Sequence, residues 1–515
     1  MGNKLIKLES LSTRQQVAQC IFPRVSAEQY YKDNEYQQIT HQLVEDGIGG
    51  FCVFQGTMGT VKSMITVLQS IAKVPMLFCA DYEYGLPMRL DNGTAFPHAM
   101  ALGKTGNPKH TYKCSEAIAK EAKSIGVRWN LAPVCDINSN PNNPIINIRS
   151  FADKVEVVQS HLEEHIKGHH SQNVLTCAKH FPGHGDTDKD SHSDLPLLKH
   201  DRNRIMNFEL QPFIHAIKND VKTIMIGHLV VSSLDGSETP ASLSKTIVTD
   251  LLRNELGFNG IVITDALDMK ALTNIFTLDE IVVKAFEAGN DILLLPENPN
   301  VAIDILEKHV EMHLEVKEQL MASVGRILRA KEGCGLFDRD SKENEISFFE
   351  HEKIALAAAY DALEISGDKH LIPIKEKFRV GGFAFLQTDD IDTPTSFFRI
   401  LGQAIENDCD FGFIDKNIQE KDLQGLKFGI QKADIMIFAF FFKPSAYQSM
   451  KVPDEIMNAY KALSEGKKKI AILFGNPYLK DSIDADLVTS PFSDSLPSIA
   501  ATILKLSGRD KALNF

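Results

Sequence analysis

The chain has 515 residues, 43% of them hydrophobic, and a formal net charge of −13. That length exceeds one ordinary core and predicts two domains of a packed globular protein. The acidic balance excludes nucleic acid or an anionic membrane surface as the main partner, and no apolar run approaches the roughly 18–20 residues of a spanning helix.

The stretch Met1 to Ser10 lacks the apolar core of a signal peptide, so a cytoplasmic location is expected unless a further segment exists. The cysteines at 20, 52, 79, 114, 135, 177, 334 and 409 are widely spread, with no C-x-x-C pair. Their spacing fits neither a disulfide framework nor a zinc site, and thiols in apolar runs behave as small hydrophobes.

In chain order, short apolar strands alternate with helical patterns from about residue 11 to 335. The strands are Gly49–Phe54, Val74–Ala80, Val127–Val134, Val174–Ala178, Thr223–His228, Gly260–Thr264 and Asp291–Pro296. Amphipathic stretches such as Phe208–Ile217 and Leu278–Ala288 lie between them. Continuous apolar strands separated by helices predict a parallel sheet covered on both faces, and this number of units predicts a (β/α)8 TIM-like barrel, irregular near its start. In such a barrel, polar residues at strand ends face the active-site mouth. Asp81, Asp136, Lys179, His180, His228, Asp265 and Glu297 all fall at or just after strand ends.

The expected domains are a barrel over 1–335, a linker and connecting helix over 336–360, and a smaller doubly wound α/β sandwich over 361–515. Within the sandwich, strands are expected at Val380–Leu386, Ile435–Phe442 and Lys469–Phe474, and a last helix at Ser498–Leu506. It carries no G-x-G-x-x-G or P-loop, so no nucleotide and no other cofactor is assigned.

Two stretches carry chemistry. The first runs from Lys179-His180-Phe181-Pro182-Gly183-His184-Gly185 to Asp190-Ser191-His192. Its opening Asp186-x-Asp188-x-Asp190 suggests a calcium loop, but Ser191 stands where such a loop needs Gly and Leu197 where it needs Glu. No metal is assigned. Asp190 and His192 suit a dyad in which the carboxylate holds one ring nitrogen and leaves the other to exchange a proton near neutral pH. The second stretch, Gly260 to Met269, ends its strand at Asp265, a candidate nucleophile. The plainer alternative is a solvated acidic loop and an Asp265 that caps a helix.

With these motifs in hand, the chain resembles a family 3 glycoside hydrolase of the β-N-acetylhexosaminidase branch. Further matching stretches are Asn130-Leu131-Ala132-Pro133-Val134 with Asp136, Arg149-Ser150-Phe151, Pro240-Ala241-Ser242-Leu243-Ser244 and Phe474-Gly475-Asn476-Pro477-Tyr478. The resemblance implies a retaining double displacement: Asp265 attacks the anomeric carbon, His192 protonates the leaving oxygen, and Asp190 orients His192. It also implies that Asp81, Arg89, Arg149, Lys179 and His180 hydrogen-bond the sugar hydroxyls and acetamido group. A histidine in place of the second carboxylate usual in retaining glycosidases would not repel an anionic acceptor, so the resemblance leaves open phosphate in place of water as the acceptor, as in some members.

The family pattern Asp-x-Glu-Gly-Gly-Arg reads Asp81-Tyr82-Glu83-Tyr84-Gly85-Leu86 here, a departure expected at the pocket rim. Trp129 and Phe181 are expected to be packing residues, and His228 a residue of the core or one that supports the site. The preferred reading is an exo-β-N-acetylglucosaminidase acting on peptidoglycan- or chitin-derived saccharides, as in peptidoglycan recycling. Alternatives are a β-N-acetylglucosaminide phosphorylase, another β-glycosidase of the family, and a glycan-binding module without turnover. The oligomeric state is left open.

Overall fold

The computed structural model describes residues 8–187, 195–337, 345–407, 409–444 and 451–509. The chain forms two compact units: Met1–Thr94, Thr111–Asn140 and Asp153–Phe348 make the first, and Ala95–His110, Pro141–Ala152 and Phe349–Phe515 the second.

In the first unit, a parallel sheet runs in chain order through β2 (Arg24–Ser26), β3 (Gly50–Phe54), β4 (Leu77–Ala80), β5 (Trp129–Asn130), β6 (Leu175–Phe181), β7 (Thr223–Ile226) and β8 (Ile261–Thr264). The ring closes through the flanking pair β1 (Ile21–Phe22) and β9 (Leu293–Leu294): Ile263 bridges Ile292 in parallel, and Leu293 and Leu295 donate to the carbonyls of Cys20 and Phe22. This is the TIM-like barrel. Every residue of β4, β6, β7 and β8 is buried, as the continuous apolar runs require of strands covered on both faces.

The first barrel strand was not legible, because Pro23 divides it into β1 and β2 and Arg24 faces solvent. The run expected over Val127–Val134 pairs as a strand only at Trp129–Asn130, with Val134 bridging Lys179. Pro133 has no N–H to give the ladder.

The helix Leu278–Ala288 follows the expected bounds. A Thr277/Glu280 capping box opens it and Gly289, at φ 113°, ends it. The last barrel helix, Leu314–Gly333, is tied to β8 through Asp291, which is wholly buried. Asp291 accepts from Arg253 and Arg326 at 2.6 Å each, from Ser323 at 2.7 Å and from the Val262 N–H at 2.9 Å. Removing one member of such a pair strands the others, so Asp291→Ala is expected to cost about 3–5 kcal/mol, read by denaturant unfolding.

The second unit is a six-stranded sheet among the described residues, ordered β10 (Glu364–Gly367), β15 (Leu487–Ser490), β14 (Lys468–Gly475), β13 (Ile435–Phe442), β11 (Val380–Leu386) and β12 (Cys409–Ile414). Only β10 runs antiparallel. The helices Asp392–Ala404 and Leu496–Ser507 bury Phe397, Leu401, Ile499 and Ile503 on one face; Asp454–Ser464 buries Ile456 and Tyr460 on the other. This is the expected doubly wound sandwich. Its edge strands β10 and β12 were not foreseen, since their mixed polar, half-exposed residues carry no continuous apolar signal.

Two segments that the sequence reading counted with the barrel, 95–110 and 141–152, pack within this second unit. Met100, Ala101 and Ile148 share a core with Ala362 and Phe492, and Asn147 donates to Asn476 at 3.4 Å. The helix Phe348–Ala362, read as a connector, also belongs to this unit from Phe349 onward.

Candidate active site

In the barrel, the backbone that ends each strand sets the first charged residue after it. Asp81 follows β4, Lys179 and His180 close β6, and Asp265 follows β8. The Asp265 N–H donates to Ile226 O at 2.9 Å, and the Asn130 side chain clamps both backbone groups of Tyr82, at 3.0 and 3.1 Å, which fixes the turn after Asp81.

Lys179, only 3% exposed at its side chain, donates to Asp81 Oδ1 at 2.9 Å and to Glu83 Oε1 at 2.8 Å. Arg89 donates to the other Asp81 oxygen at 2.5 Å and lies over the Phe54 ring, 4.7 Å from its centroid. Burial alone would raise the Asp81 pKa; the adjacent Lys179 and Arg89 outweigh it and hold the carboxyl well below the usual carboxylate range. Bidentate and charged donors held this way suit the vicinal hydroxyls of a sugar ring.

The His180 ring donates Nδ1–H to Asp136 Oδ2 at 2.7 Å, a role assigned from the carboxylate partner. Its Nε2 makes no hydrogen bond among the described residues and is the nitrogen left for a ligand. Asp136 is wholly buried and also accepts the backbone N–H groups of His180 and, at 2.7 Å, His184. It anchors both ends of the first glycine-rich turn. Gly183 takes φ +123°, and a Cβ on Gly185 would stand 1.7 Å from Ile137 O, so both glycines are required by geometry. The Lys179–His180 and Phe181–Pro182 peptides are cis. Burial, then the neighbouring His180, pushes the His184 pKa down to about 4.

Asp265 is half-buried, and its Oδ1 accepts the Ala266 N–H at 2.8 Å. Burial would raise its pKa, but His180, His228, this N–H and Lys179 prevail and hold it below the usual carboxylate value. It does not cap a helix: the next one, Lys270–Thr273, is preceded by Met269. That removes the plainer alternative for this residue. His228 donates Nε2–H to Ala266 O at 2.9 Å and accepts the Ser242 hydroxyl at Nδ1, 2.7 Å away. Burial lowers the His228 pKa, so near neutrality the ring is a neutral strut behind the Asp265 loop.

Asp81, Arg89, Lys179, His180 and Asp265 therefore gather at one mouth of the barrel. Arg149 belongs to the second unit, where it ends the turn Asn147–Arg149 and donates to Ile145 O at 3.2 Å. Asp190 and His192 lie outside the described residues.

Sequence reasoning placed Asp136 at a strand end facing the mouth but gave it no role there, and it gave Glu83 and Asn130 none, although each stands in a matched motif. It placed Leu86 at the pocket rim; the side chain is wholly buried, because an apolar residue there turns inward to the core. Trp129 is buried with its indole N–H on Thr223 Oγ1 at 3.0 Å, and Phe181 packs edge-on against Phe213. Among the described residues no cluster of His, Cys, Asp or Glu has the form of a metal site, and no helix is long and apolar enough to cross a membrane.

Residues 12–330 match the model of the glycosyl hydrolase family 3 N-terminal domain. The chain is 36% identical over 318 residues to β-hexosaminidase A of Pseudoalteromonas piscicida, covering 55% of this chain and 53% of that protein. It is 29% identical over 303 residues to a β-N-acetylglucosaminidase/β-glucosidase of Cellulomonas fimi, covering 56% and 53%. The chain thus spans about half the length of these two relatives. Among solved structures, a family 3 β-N-acetylglucosaminidase from Paenibacillus sp. superposes with a TM-score of 0.86 at 25% identity, covering 97% of each chain. With the family model spanning more than half of its length, and a TIM-like barrel carrying the matched motifs at its strand ends, the chain belongs to glycosyl hydrolase family 3.

Proposed function

We propose that the chain is a retaining exo-β-N-acetylglucosaminidase that releases terminal β-linked GlcNAc from peptidoglycan- or chitin-derived saccharides. The observation that supports this reading best is Asp265, kept ionised beside His180 at the barrel mouth that also holds the Lys179–Asp81–Arg89 cluster. Asp265 attacks the anomeric carbon and the bond to the aglycone breaks, leaving a glycosyl-enzyme. Lys179, Asp81, Arg89 and His180 hold the ring as oxocarbenium character develops. His192, oriented by Asp190, gives its proton to the leaving oxygen and then takes one from water. The names of the relatives above agree with the sugar chosen.

The test is p-nitrophenol release from the β-N-acetylglucosaminide and from the β-glucoside, with phosphate absent and present. Preferred turnover of the former, giving free GlcNAc in both conditions, is expected; sugar 1-phosphate as the product selects the phosphorylase reading instead.

The pH dependence carries a sign. The general acid must be protonated, so kcat/KM falls as pH rises through the ordinary histidine value of about 6.5. Asp265, with its pKa lowered, remains ionised to more acidic pH, so its own limb lies below about pH 4. His192→Gln is expected to remove the upper limb, read on a substrate with an activated leaving group. His184 and His228, both held neutral by burial, do not supply that limb.

A further inference from the structure

At the strand-entry end of the barrel, at the opposite ends of the strands that lead to Lys179 and Asp265, lies a cavity of about 460 Å³. That is the size of a small-molecule site. Its floor is formed where β6 and β8 begin, at Leu175 and Ile261, and its rim by His170, Lys222, Arg326 and Arg329. No carboxylate lines it.

The polar groups around it are unevenly matched. Lys222 pairs with Asp220 at 2.5 Å, and Arg326 shares the single carboxylate of Asp291 with Arg253. Arg329 enters no ion pair among the described residues, and the buried His170 Nε2 has no hydrogen-bond partner. Lys123 and Arg128 stand close by, on the carbonyls of Gln172 and Cys334. The helix ends at His170 and Gly333 each contribute about half a negative charge, far too little to balance these cations. Burial first, and then Arg128, lowers the Lys123 pKa; burial first, and then Lys222, lowers that of His170, with Asp220 opposing.

We propose that this cavity binds a small phosphate monoester, its dianion taken by Arg329, Lys222 and His170 and its organic part resting on Val174, Leu175 and Ile261. Arginine and lysine supply several donors to one phosphate, and the apolar floor distinguishes an ester from the bare ion. The site is separate from the catalytic mouth, so its occupant does not compete with the sugar.

The test is isothermal titration calorimetry on the full chain at low salt, with glucose 6-phosphate, glucose and inorganic phosphate as probes. The sugar phosphate is expected to bind more tightly than either other probe, and equally well with GlcNAc present in excess. Arg329→Ala and Lys222→Ala, both changes at exposed side chains, are each expected to weaken binding at least tenfold while the melting temperature holds. No binding, binding unchanged in both variants, binding displaced by GlcNAc, or inorganic phosphate binding as tightly as the ester would each overturn the assignment.

Discussion

Asp265→Ala is expected to lower kcat/KM on an aryl β-N-acetylglucosaminide by about 10⁴-fold or more, the scale seen when a covalent nucleophile is removed. The physical case rests on what holds the residue. Its backbone is fixed by Ile226 O, its Oδ1 by the Ala266 N–H, and Ala266 in turn by His228 and Ser242. The carboxylate is thus aimed by its loop and ionised by its neighbours before any substrate arrives. Its lowered pKa in the folded chain means that the ionised carboxylate contributes modestly to stability above the unfolded value of about 3.9. The melting temperature of the variant should therefore fall only slightly near neutral pH while activity collapses. Azide added with an activated substrate should restore turnover and give the opposite anomer, since a small anion fills the space of the lost carboxylate.

Lys179→Met should damage both folding and activity. The ammonium sits between two carboxylates, Asp81 and Glu83, and is nearly inaccessible. Taking it away removes one cation from both carboxylates at once, and breaking a buried pair of this kind costs about 3–5 kcal/mol. Loss of a preorganised donor also lowers kcat by about 10²–10³. The stability part depends on pH in a definite direction. Asp81 has a lowered pKa in the folded chain, so its contribution is present above the unfolded value of about 3.9 and is lost as pH falls through the folded one. The gap in melting temperature between wild type and Lys179→Met should be widest near neutrality and shrink below about pH 4. A gap independent of pH would mean that Lys179 acts through packing alone.

Much of the barrel could be read from the chain because its strands are mostly buried on both faces and most of them end in a change from apolar to charged residues. The apolar run Val174–Ala178, followed by Lys179-His180, two glycines and a cluster of charges, announced both a strand and a loop with chemistry, and the strand extends to Phe181. What escaped notice has specific causes. Pro23 broke the first strand into pieces too short to show a period, and β12 lies at a sheet edge with only one of its six residues buried. The packing of 95–110 and 141–152 with the second unit depends on contacts hundreds of residues apart, such as His98 Nδ1 with Ser493 Oγ at 2.7 Å, which no local pattern encodes. In the site, the charged residues at strand ends stood out, but their supports did not. Asp136 reads as one more strand-end acid until its three hydrogen bonds to the His180–His184 turn are seen. Asn130 stood inside an expected strand and a matched motif, but no local pattern marks it as the clamp on Tyr82.

The most direct measurement of the central claim is intact-mass and peptide mapping after reaction with a fluorinated N-acetylglucosaminyl donor that forms the glycosyl-enzyme faster than water releases it. One sugar per chain, attached to the peptide that contains Asp265 and absent from Asp265→Ala, is the predicted result. Turnover of the donor with no adduct, or an adduct on another carboxylate, would contradict the assignment of Asp265 as the nucleophile.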